Sequence, residues 1–188
     1  VFAGLRPLAA PRSEGKKTKE ISRSHKLIRE KSGLITIIGG KWTTYRKMAQ
    51  DTLDLAIRYM HIPTKDCITE RYQIHGSRKN PDFSDPLYVY GTDADEIRNL
   101  VASSPAMAEK LHPDYAYTVG EVTWLVRNEM PRTLEDVLAR RLRILFLDAR
   151  AAMAMAPKVA GILATEWGKD ETWTSAQVKA FNEVASNY

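Results

Sequence analysis

The sequence predicts a mainly α-helical protein, in which a small C-terminal helical domain follows a β-rich segment. Three observations support this fold class. Apolar residues recur at helical spacing through most of residues 92–188, β-branched residues fill residues 34–38, and turn-forming residues fill the stretch between these regions. The chain has 188 residues, of which 44% are hydrophobic and 27% charged, so its composition supports a packed core.

Residues 1–62 are predicted to contain strands followed by one helix. The strand segments lie within residues 21–29 and 34–38, because neither has a helical stripe and the second is rich in β-branched residues. Apolar residues at spacings of three and four then extend from Tyr45 to Tyr59. This spacing predicts a helix with one buried face.

Residues 63–91 are predicted to form an irregular connector between the two regions. Pro63 stops the preceding helix, and further Gly, Pro, Asn and Asp residues punctuate the segment. A strand over Cys67–His75 is the one regular element that its pattern allows.

The C-terminal region, residues 92–188, contains recognisable helix starts. Each pairs a capping side chain with acidic residues or Gln in the next turn: Asp93 with Glu96, Thr118 with Glu121, Thr133 with Glu135 and Asp136, and Thr174 with Gln177. The clearest apolar stripe runs from Ala149 to Trp167, with Gly168 as its stop and Pro157 as the place of a kink or restart. Five or six helices with short connections are expected.

The positive charge is concentrated near the amino terminus. Residues 12–31 carry eight basic and three acidic residues, whereas residues 32–188 carry nineteen basic and twenty acidic residues. Such a segment could bind a phosphate ligand, a nucleic acid or an anionic membrane.

No apolar run is long enough to span a bilayer, and no leader segment is recognised. The single cysteine, Cys67, excludes an internal disulfide and favours a reducing, cytoplasmic location.

The junction Gly39–Thr44 has the chemistry of an anion-stabilising turn. Two glycines permit a sharp turn and a close approach of the backbone to a ligand. The helix that follows begins with free N–H groups and a partial positive charge, to which Lys41 adds a cation and Thr43 a hydroxyl. The pattern is neither a Walker A loop nor G-x-G-x-x-G. An ordinary strand-to-helix turn would show the same bare pattern.

Several motifs in a fixed order resemble FAD-dependent glycerol-3-phosphate dehydrogenases and the related oxidases. These motifs are Gly4–Leu8, Ser22–His25, Leu34–Arg46, Glu129–Arg141 and Leu145–Arg150. The first three resemble the end of the family's flavin domain, and the last two resemble its C-terminal helical domain. The family's amino-terminal G-x-G-x-x-G has no match here. The chain is therefore similar to the carboxy-terminal third of such an enzyme, with residues 1–62 as a remnant of the FAD-binding α/β domain.

The resemblance implies an activity and roles for individual residues. The family oxidises sn-glycerol 3-phosphate to dihydroxyacetone phosphate with hydride transfer to FAD, and passes the electrons to quinone or oxygen. The resemblance implies catalytic roles for Arg6 and Lys41, and substrate contacts for these two residues and Arg23. It implies cofactor contacts for Gly39, Gly40, Lys41, Trp42 and Thr43. His25 could line the same pocket, although a structural or solvated histidine is the commoner case.

The resemblance also implies what the chain does alone and with partners. Without the dinucleotide-binding fold, the isolated chain is expected to be inactive and to bind no FAD. Peripheral association with the inner face of a membrane and a homo-oligomer are left open.

No metal site is expected, because His61, His75 and His112 have no partner at ligand spacing. A basic nucleic-acid-binding or protein-interaction module is the alternative function, although no nucleic-acid partner is expected because the helical part is not net basic.

Overall fold

A computed structural model describes residues 24–188, which fall into two compact units. The first unit ends at Gln73, and the second extends from Ile74 to Tyr188. This division lies inside residues 63–91, the stretch assigned to the connector by the sequence analysis. The predicted boundaries after residues 62 and 91 stay predictions.

A short hairpin begins the described part of the first unit. Strands β1 (Lys26–Arg29) and β2 (Ile35–Ile38) pair antiparallel. Lys26 lies opposite Ile38, and Arg29 lies opposite Ile35. Gly33 lies in the turn with a φ of 90°, and its N–H donates to the Glu30 carbonyl at 3.0 Å. Glycine adopts this left-handed backbone without steric cost. Both strands lie within the segments predicted from the sequence.

Helix α1 (Tyr45–Met60) follows β2 through a 3-10 turn over Trp42–Thr44. It ends at His61, which adopts a left-handed φ of 51°. The Arg29 guanidinium lies 3.9 Å from the centre of the Tyr59 ring, a cation–π contact that joins the hairpin to the helix. The predicted helix is confirmed, but its predicted buried face is not, because none of its residues is buried.

The described part of the first unit contains no buried residue, since every side chain in residues 24–73 is exposed or half-buried. Large apolar side chains that remain exposed include Leu34, Trp42, Tyr45, Leu53, Ile68 and Tyr72. A folded domain of this size normally buries such side chains. Residues 24–73 therefore present apolar surface without enclosing a core of their own.

The predicted strand over Cys67–His75 is wrong. This segment is irregular and contains a turn in which the Arg71 N–H donates to the Ile68 carbonyl at 3.1 Å. Ile68, Tyr72 and Ile74 are each about two-thirds exposed. Their alternation resembles a strand, but no strand among residues 24–188 lies beside them to supply hydrogen bonds.

The second unit consists mainly of helices. Its helices are α2 (Ala94–Ala102), α3 (Pro105–Ala108), α4 (Val119–Asn128), α5 (Ile144–Leu147), α6 (Ala149–Trp167) and α7 (Glu171–Ala185). A 3-10 turn over Tyr88–Asp93 precedes α2, and a π-helical turn over Asp136–Arg141 precedes α5. The predicted mainly helical fold class is confirmed.

Helix α6 lies at the centre of the second unit and packs against α4, α5 and α7. The largest fully buried side chains are Ile97, Leu125, Leu134, Leu138, Ile144, Met155, Leu163 and Phe181. Alanines at 152, 156 and 160 are also fully buried. These small residues let neighbouring helices approach closely while the larger ones interdigitate.

Two of the predicted helix starts use the expected caps. The Thr118 hydroxyl accepts a hydrogen bond from the Glu121 N–H at 3.2 Å. The Thr133 hydroxyl accepts from the Asp136 N–H at 3.2 Å, and the Asp136 carboxylate accepts from the Thr133 N–H at 3.0 Å. Each pair satisfies amides that the first helical turn leaves free.

The other two starts differ from the prediction. Helix α2 begins directly after Asp93, but the Asp93 carboxylate pairs with His75 Nε2 at 2.9 Å and caps no amide. Helix α7 begins at Glu171 rather than at Thr174, because the Asp170 side chain accepts from the Trp173 N–H at 2.8 Å and starts the helix one turn earlier. Asp170 has Trp173 three residues later where the capping box has Glu or Gln, so it does not fit that pattern.

Of the two outcomes expected at Pro157, a kink or a restart, the restart does not occur, and the kink stays a prediction. The helix continues from Ala149 to Trp167 with Pro157 inside it. Proline removes one hydrogen bond and crowds the preceding turn, but buried residues on both sides hold the helix together. The predicted stop at Gly168 is confirmed by its left-handed φ of 62°.

Candidate functional site

The glycine pair after β2 is required by its backbone and by its surroundings. Gly39 and Gly40 have φ values of 77° and 88°, in the left-handed region that favours glycine. A Cβ on Gly40 would lie 2.5 Å from Met48 Sδ, and a Cβ on Gly39 would lie 3.0 Å from the Ser24 carbonyl oxygen. The pair therefore lets the chain leave β2 while touching both α1 and the residues before β1.

The 3-10 turn after the glycines is closed by Thr44. The Lys41 N–H donates to Thr44 Oγ1 at 3.2 Å, and the Thr44 hydroxyl donates to the Lys41 carbonyl at 3.0 Å. Trp42 lies on the outside of this turn and is 86% exposed, with its ring centre 6.0 Å from that of Tyr45. The turn thus fixes the backbone at Lys41 and leaves a large aromatic side chain uncovered.

A cavity of about 420 Å³ lies beside the turn. Its lining residues are Ser24, His25, Lys41, Thr44 and Lys47. Two lysines, two hydroxyls and an imidazole therefore share one concave surface. A phosphate group is recognised by this kind of donor set, because ammonium groups pair with its charge and hydroxyls donate to its oxygens. We call this surface the lysine cavity.

Asp51 of α1 joins two members of the lysine cavity. Its Oδ2 lies 2.9 Å from His25 Nε2, and its Oδ1 lies 2.8 Å from Lys47 Nζ. The hydrogen bond from Lys47 lowers the pKa of Asp51, with a further lowering by His25, and the same bond to Asp51 raises the pKa of Lys47. Asp51 is therefore ionised at neutral pH, and it orients Lys47 and the His25 ring.

The structure brings together only part of the predicted site. Lys41 lines the lysine cavity, and His25, considered for the same pocket, lines it too. Gly39, Gly40, Trp42 and Thr43 form the adjacent turn without lining the cavity. The predicted residues Arg6 and Arg23 lie outside the described residues.

Lys47 was missed by the sequence reasoning. A signal was present, because Thr44, Lys47 and Asp51 follow one another at spacings of three and four and so share one face of a helix. The prediction for this helix rested on its apolar side alone. Its polar side carries Lys47, the second cation of the lysine cavity.

An apolar cavity lies on the same unit. It has a volume of about 390 Å³ and is lined by Ile37, Tyr45, Met48, Ala49, Thr52 and Leu53. These side chains come from β2 and from α1. Four of them, Tyr45, Met48, Ala49 and Thr52, belong to the helix face that the spacing of the apolar residues predicts to be buried.

Two further features concern only residues 24–188. No group of three or more His, Cys, Asp or Glu side chains in this range could hold a metal ion. Of the helices in the same range, none is both long and apolar enough to cross a membrane.

Comparison with known proteins places both units in one family. Residues 34–174 match the family model described as the C-terminal domain of alpha-glycerophosphate oxidase. The chain is 34% identical, over its whole length, to a probable mitochondrial glycerol-3-phosphate dehydrogenase of Caenorhabditis elegans. It is 31% identical, over 99% of its length, to the mitochondrial glycerol-3-phosphate dehydrogenase SDP6 of Arabidopsis thaliana.

A third relative supports the same assignment. A probable mitochondrial glycerol-3-phosphate dehydrogenase of Dictyostelium discoideum is 36% identical over 87% of the chain. The chain spans between 28% and 37% of the length of these three curated relatives. The resemblance inferred from the sequence motifs is thereby confirmed, and the chain belongs to the family of the C-terminal domain of alpha-glycerophosphate oxidase.

Proposed function

We propose that this chain serves as the carboxy-terminal part of an FAD-dependent glycerol-3-phosphate dehydrogenase. In this proposal the whole enzyme oxidises sn-glycerol 3-phosphate to dihydroxyacetone phosphate, with hydride transfer to the flavin. The family match and the names of the relatives support the substrate class. The single observation that carries the proposal onto this chain is the lysine cavity, with its two ammonium groups beside a glycine turn.

The lysine cavity suits the phosphate end of the substrate. Lys41 and Lys47 provide two cations for a phosphate dianion, and Ser24 lies on the same surface with its hydroxyl group, whereas the Thr44 hydroxyl is already donated to the Lys41 carbonyl. Asp51 keeps Lys47 charged and in place. Arg6 and Arg23 are proposed to complete the substrate contacts from the segment outside the described residues, with Arg6 at the reacting hydroxyl and Arg23 at the phosphate.

The residues of the glycine turn fit a flavin ring in chemical terms. Gly39 and Gly40 have no side chains, so the backbone can approach a ring closely, and Lys41 places a cation beside this backbone. FAD, when bound, would accept the hydride, which adds negative charge to its ring. In the proposal the Lys41 ammonium group and the amides of this turn other than that of Lys41, which donates to Thr44, stabilise that charge. Trp42 and the apolar cavity supply the uncovered apolar surface against which the rest of a flavin domain would pack.

The proposal extends to the electron acceptor and the location. Either quinone or oxygen takes the electrons, and a quinone acceptor would favour attachment to the inner face of a membrane. The three relatives named above are described as mitochondrial proteins. A homo-oligomer is a further prediction.

The proposal is tested by Lys41→Ala in a full-length enzyme that contains this chain. Loss of a charge-assisted contact to phosphate is expected to raise the KM for glycerol 3-phosphate by about tenfold or more, or to lower kcat by a similar factor. The control is Lys65→Ala, which removes an exposed lysine of the same unit that does not line the cavity. Flavin absorbance shows whether both variants keep the cofactor. Unchanged kinetics for Lys41→Ala would contradict the proposal.

The isolated 188-residue chain provides the complementary measurement. The chain is expected to be colourless after purification and to reduce no dye when glycerol 3-phosphate is added, because it has no G-x-G-x-x-G dinucleotide-binding motif. A yellow chain that reduces the dye would overturn the part of the proposal that calls it inactive alone.

A further inference from the structure

The second unit contains two adjoining cavities that the proposed function does not use. The larger has a volume of about 360 Å³ and lies between residues 85–87, α2 and the start of α4. The smaller has a volume of about 240 Å³. Pro86, Ala116 and Glu121 line both, so the two cavities meet at these side chains. Together they reach the size range of small-molecule sites.

Glu121 is the polar side chain at the point where the cavities meet. It is 4% exposed, and its Oε1 accepts a hydrogen bond from the Tyr90 hydroxyl at 2.7 Å. Among residues 24–188, no Lys, Arg or His forms an ion pair with it. A buried carboxylate is normally paired with a cation or fully hydrogen-bonded. Here the carboxylate accepts hydrogen bonds from the Tyr90 hydroxyl and from the Thr118 N–H, and it lies at the amino-terminal end of α4, so its compensation comes without a cation.

The other charges around the larger cavity are already engaged. Arg98, the cation among its lining residues, forms ion pairs with Asp85 and Asp95. Asp85 is therefore paired with a cation. Of the two carboxyl groups that line the larger cavity, Glu121 is the buried one, and within residues 24–188 it has no cation beside it.

The remaining walls of the larger cavity are mainly apolar. Leu87 and Val101 are half-buried, and Ile97 is fully buried, while alanines provide the rest of the apolar lining. A ligand that matched this surface would combine a compact apolar body with a single positive group. The apolar body would cover Leu87, Ile97 and Val101, and the cation would reach Glu121.

We propose that this cavity binds a small apolar amine, with the ammonium group donating to Glu121 and the apolar body lying against Ile97 and Val101. The site depends only on the second unit, so its test is independent of the proposed oxidation. A purely structural Tyr90–Glu121 pair would bind no amine, and this is the contrasting outcome of the experiment.

The test uses 2-phenylethylamine as the probe and 2-phenylethanol as its neutral counterpart, titrated into the full 188-residue chain by calorimetry. The amine is expected to bind at least about tenfold more tightly than the alcohol, since a charge-assisted hydrogen bond is lost with the latter. Glu121→Gln is expected to weaken amine binding by a similar factor. The matched control is Glu171→Gln, which removes an exposed carboxylate from the first turn of another helix.

A blocking variant keeps the proposal testable if Glu121→Gln does not fold. Ala116 lines both cavities and is itself exposed, so Ala116→Phe obstructs the site without disturbing the core. Circular dichroism confirms that this variant is folded, and loss of amine binding is expected. Absence of amine binding to the unmodified chain, equal affinity for amine and alcohol, or amine binding unaffected by Ala116→Phe would each overturn the proposal.

Discussion

Glu121 lies almost fully buried at the start of α4, where its carboxylate accepts a hydrogen bond from the Tyr90 hydroxyl. Burial raises the pKa of Glu121, whereas the hydrogen bonds from the Tyr90 hydroxyl and from the Thr118 backbone each lower it by a smaller amount. Burial, with the nearby Glu121 charge, also raises the pKa of Tyr90. The native state therefore binds the Glu121 proton more tightly than the unfolded chain does.

This shift makes a pH-dependent prediction at the scale of one residue. The stabilisation from the bound proton is complete below the unfolded pKa, about 4.3 for glutamate, and is lost as pH rises through the raised pKa. Glu121→Gln is therefore expected to increase the free energy of unfolding near pH 7 and to have a smaller effect near pH 4. Urea unfolding at several pH values measures the difference. A benefit of the variant that grows toward low pH would contradict the assignment.

Helix α6 shows how an element can tolerate a residue that disfavours it. Pro157 lies inside its nineteen residues, and the helix continues because one face is buried in the core. Two glycines of this element have contrasting roles. Gly161 lies within the helix with no positive φ and open space around the position of a Cβ, whereas Gly168 ends the helix with a φ of 62°.

These two glycines form a matched pair for a test at the scale of one element. Gly161→Ala is expected to stabilise the protein by about 0.5–1 kcal/mol, because alanine loses less backbone entropy in a helix. Gly168→Ala is expected to destabilise it by about 1–2 kcal/mol, because a Cβ disfavours the left-handed region. Neither Cβ meets an atom within 4 Å, so the backbone angle alone separates them. Thermal unfolding of both variants gives the comparison, and equal shifts would refute the argument.

At the scale of the whole molecule, the buried core belongs to the second unit. Its buried apolar residues extend from Ala94 to Ala185, and the described residues of the first unit contribute none. The first unit instead carries the lysine cavity, the apolar cavity and the exposed Trp42. Stability and the candidate site are thus properties of different parts of the chain.

A truncation tests this separation. Residues 74–188 alone are expected to unfold cooperatively, with a Tm within a few degrees of that of the full chain, because they retain the complete core. Residues 24–73 alone are expected to show no cooperative transition, since they bury no side chain. Circular dichroism during heating measures both. A cooperative transition in residues 24–73, or its loss in residues 74–188, would contradict the prediction.

The sequence predicted most elements whose signals are local. The apolar stripes located α1 and α6, Gly168 marked a helix end through its left-handed preference, and the Thr118 and Thr133 caps marked two starts. Local signals failed where the outcome depended on distant partners. The segment 67–75 alternates like a strand but has no strand beside it among the described residues, and Asp93 is used by His75 instead of capping α2.

The residues of the candidate site also differ in whether a local sequence signal predicts them. The glycine turn and Lys41 were recognisable because two glycines before a helix start constrain the backbone wherever they occur. Lys47 also had a local signal, its spacing from Thr44 and Asp51, but the contact of Asp51 with His25 and that of Glu121 with Tyr90 had none, because these side chains come together only after folding. Asp51 lies 26 positions from His25, and Glu121 lies 31 positions from Tyr90.

The sequence by itself thus determined the helical class, the family resemblance and the turn that carries Lys41. The helical class and the turn follow from periodicity and backbone preference, which act over a few neighbouring residues, whereas the resemblance follows from motifs that match a known family. The tertiary structure alone decided which charges share a cavity, that Pro157 lies within a continuous helix, and that Glu121 is buried without a cation among the described residues. Burial and charge pairing depend on contacts between residues far apart in the chain, and such contacts exist only in the folded molecule.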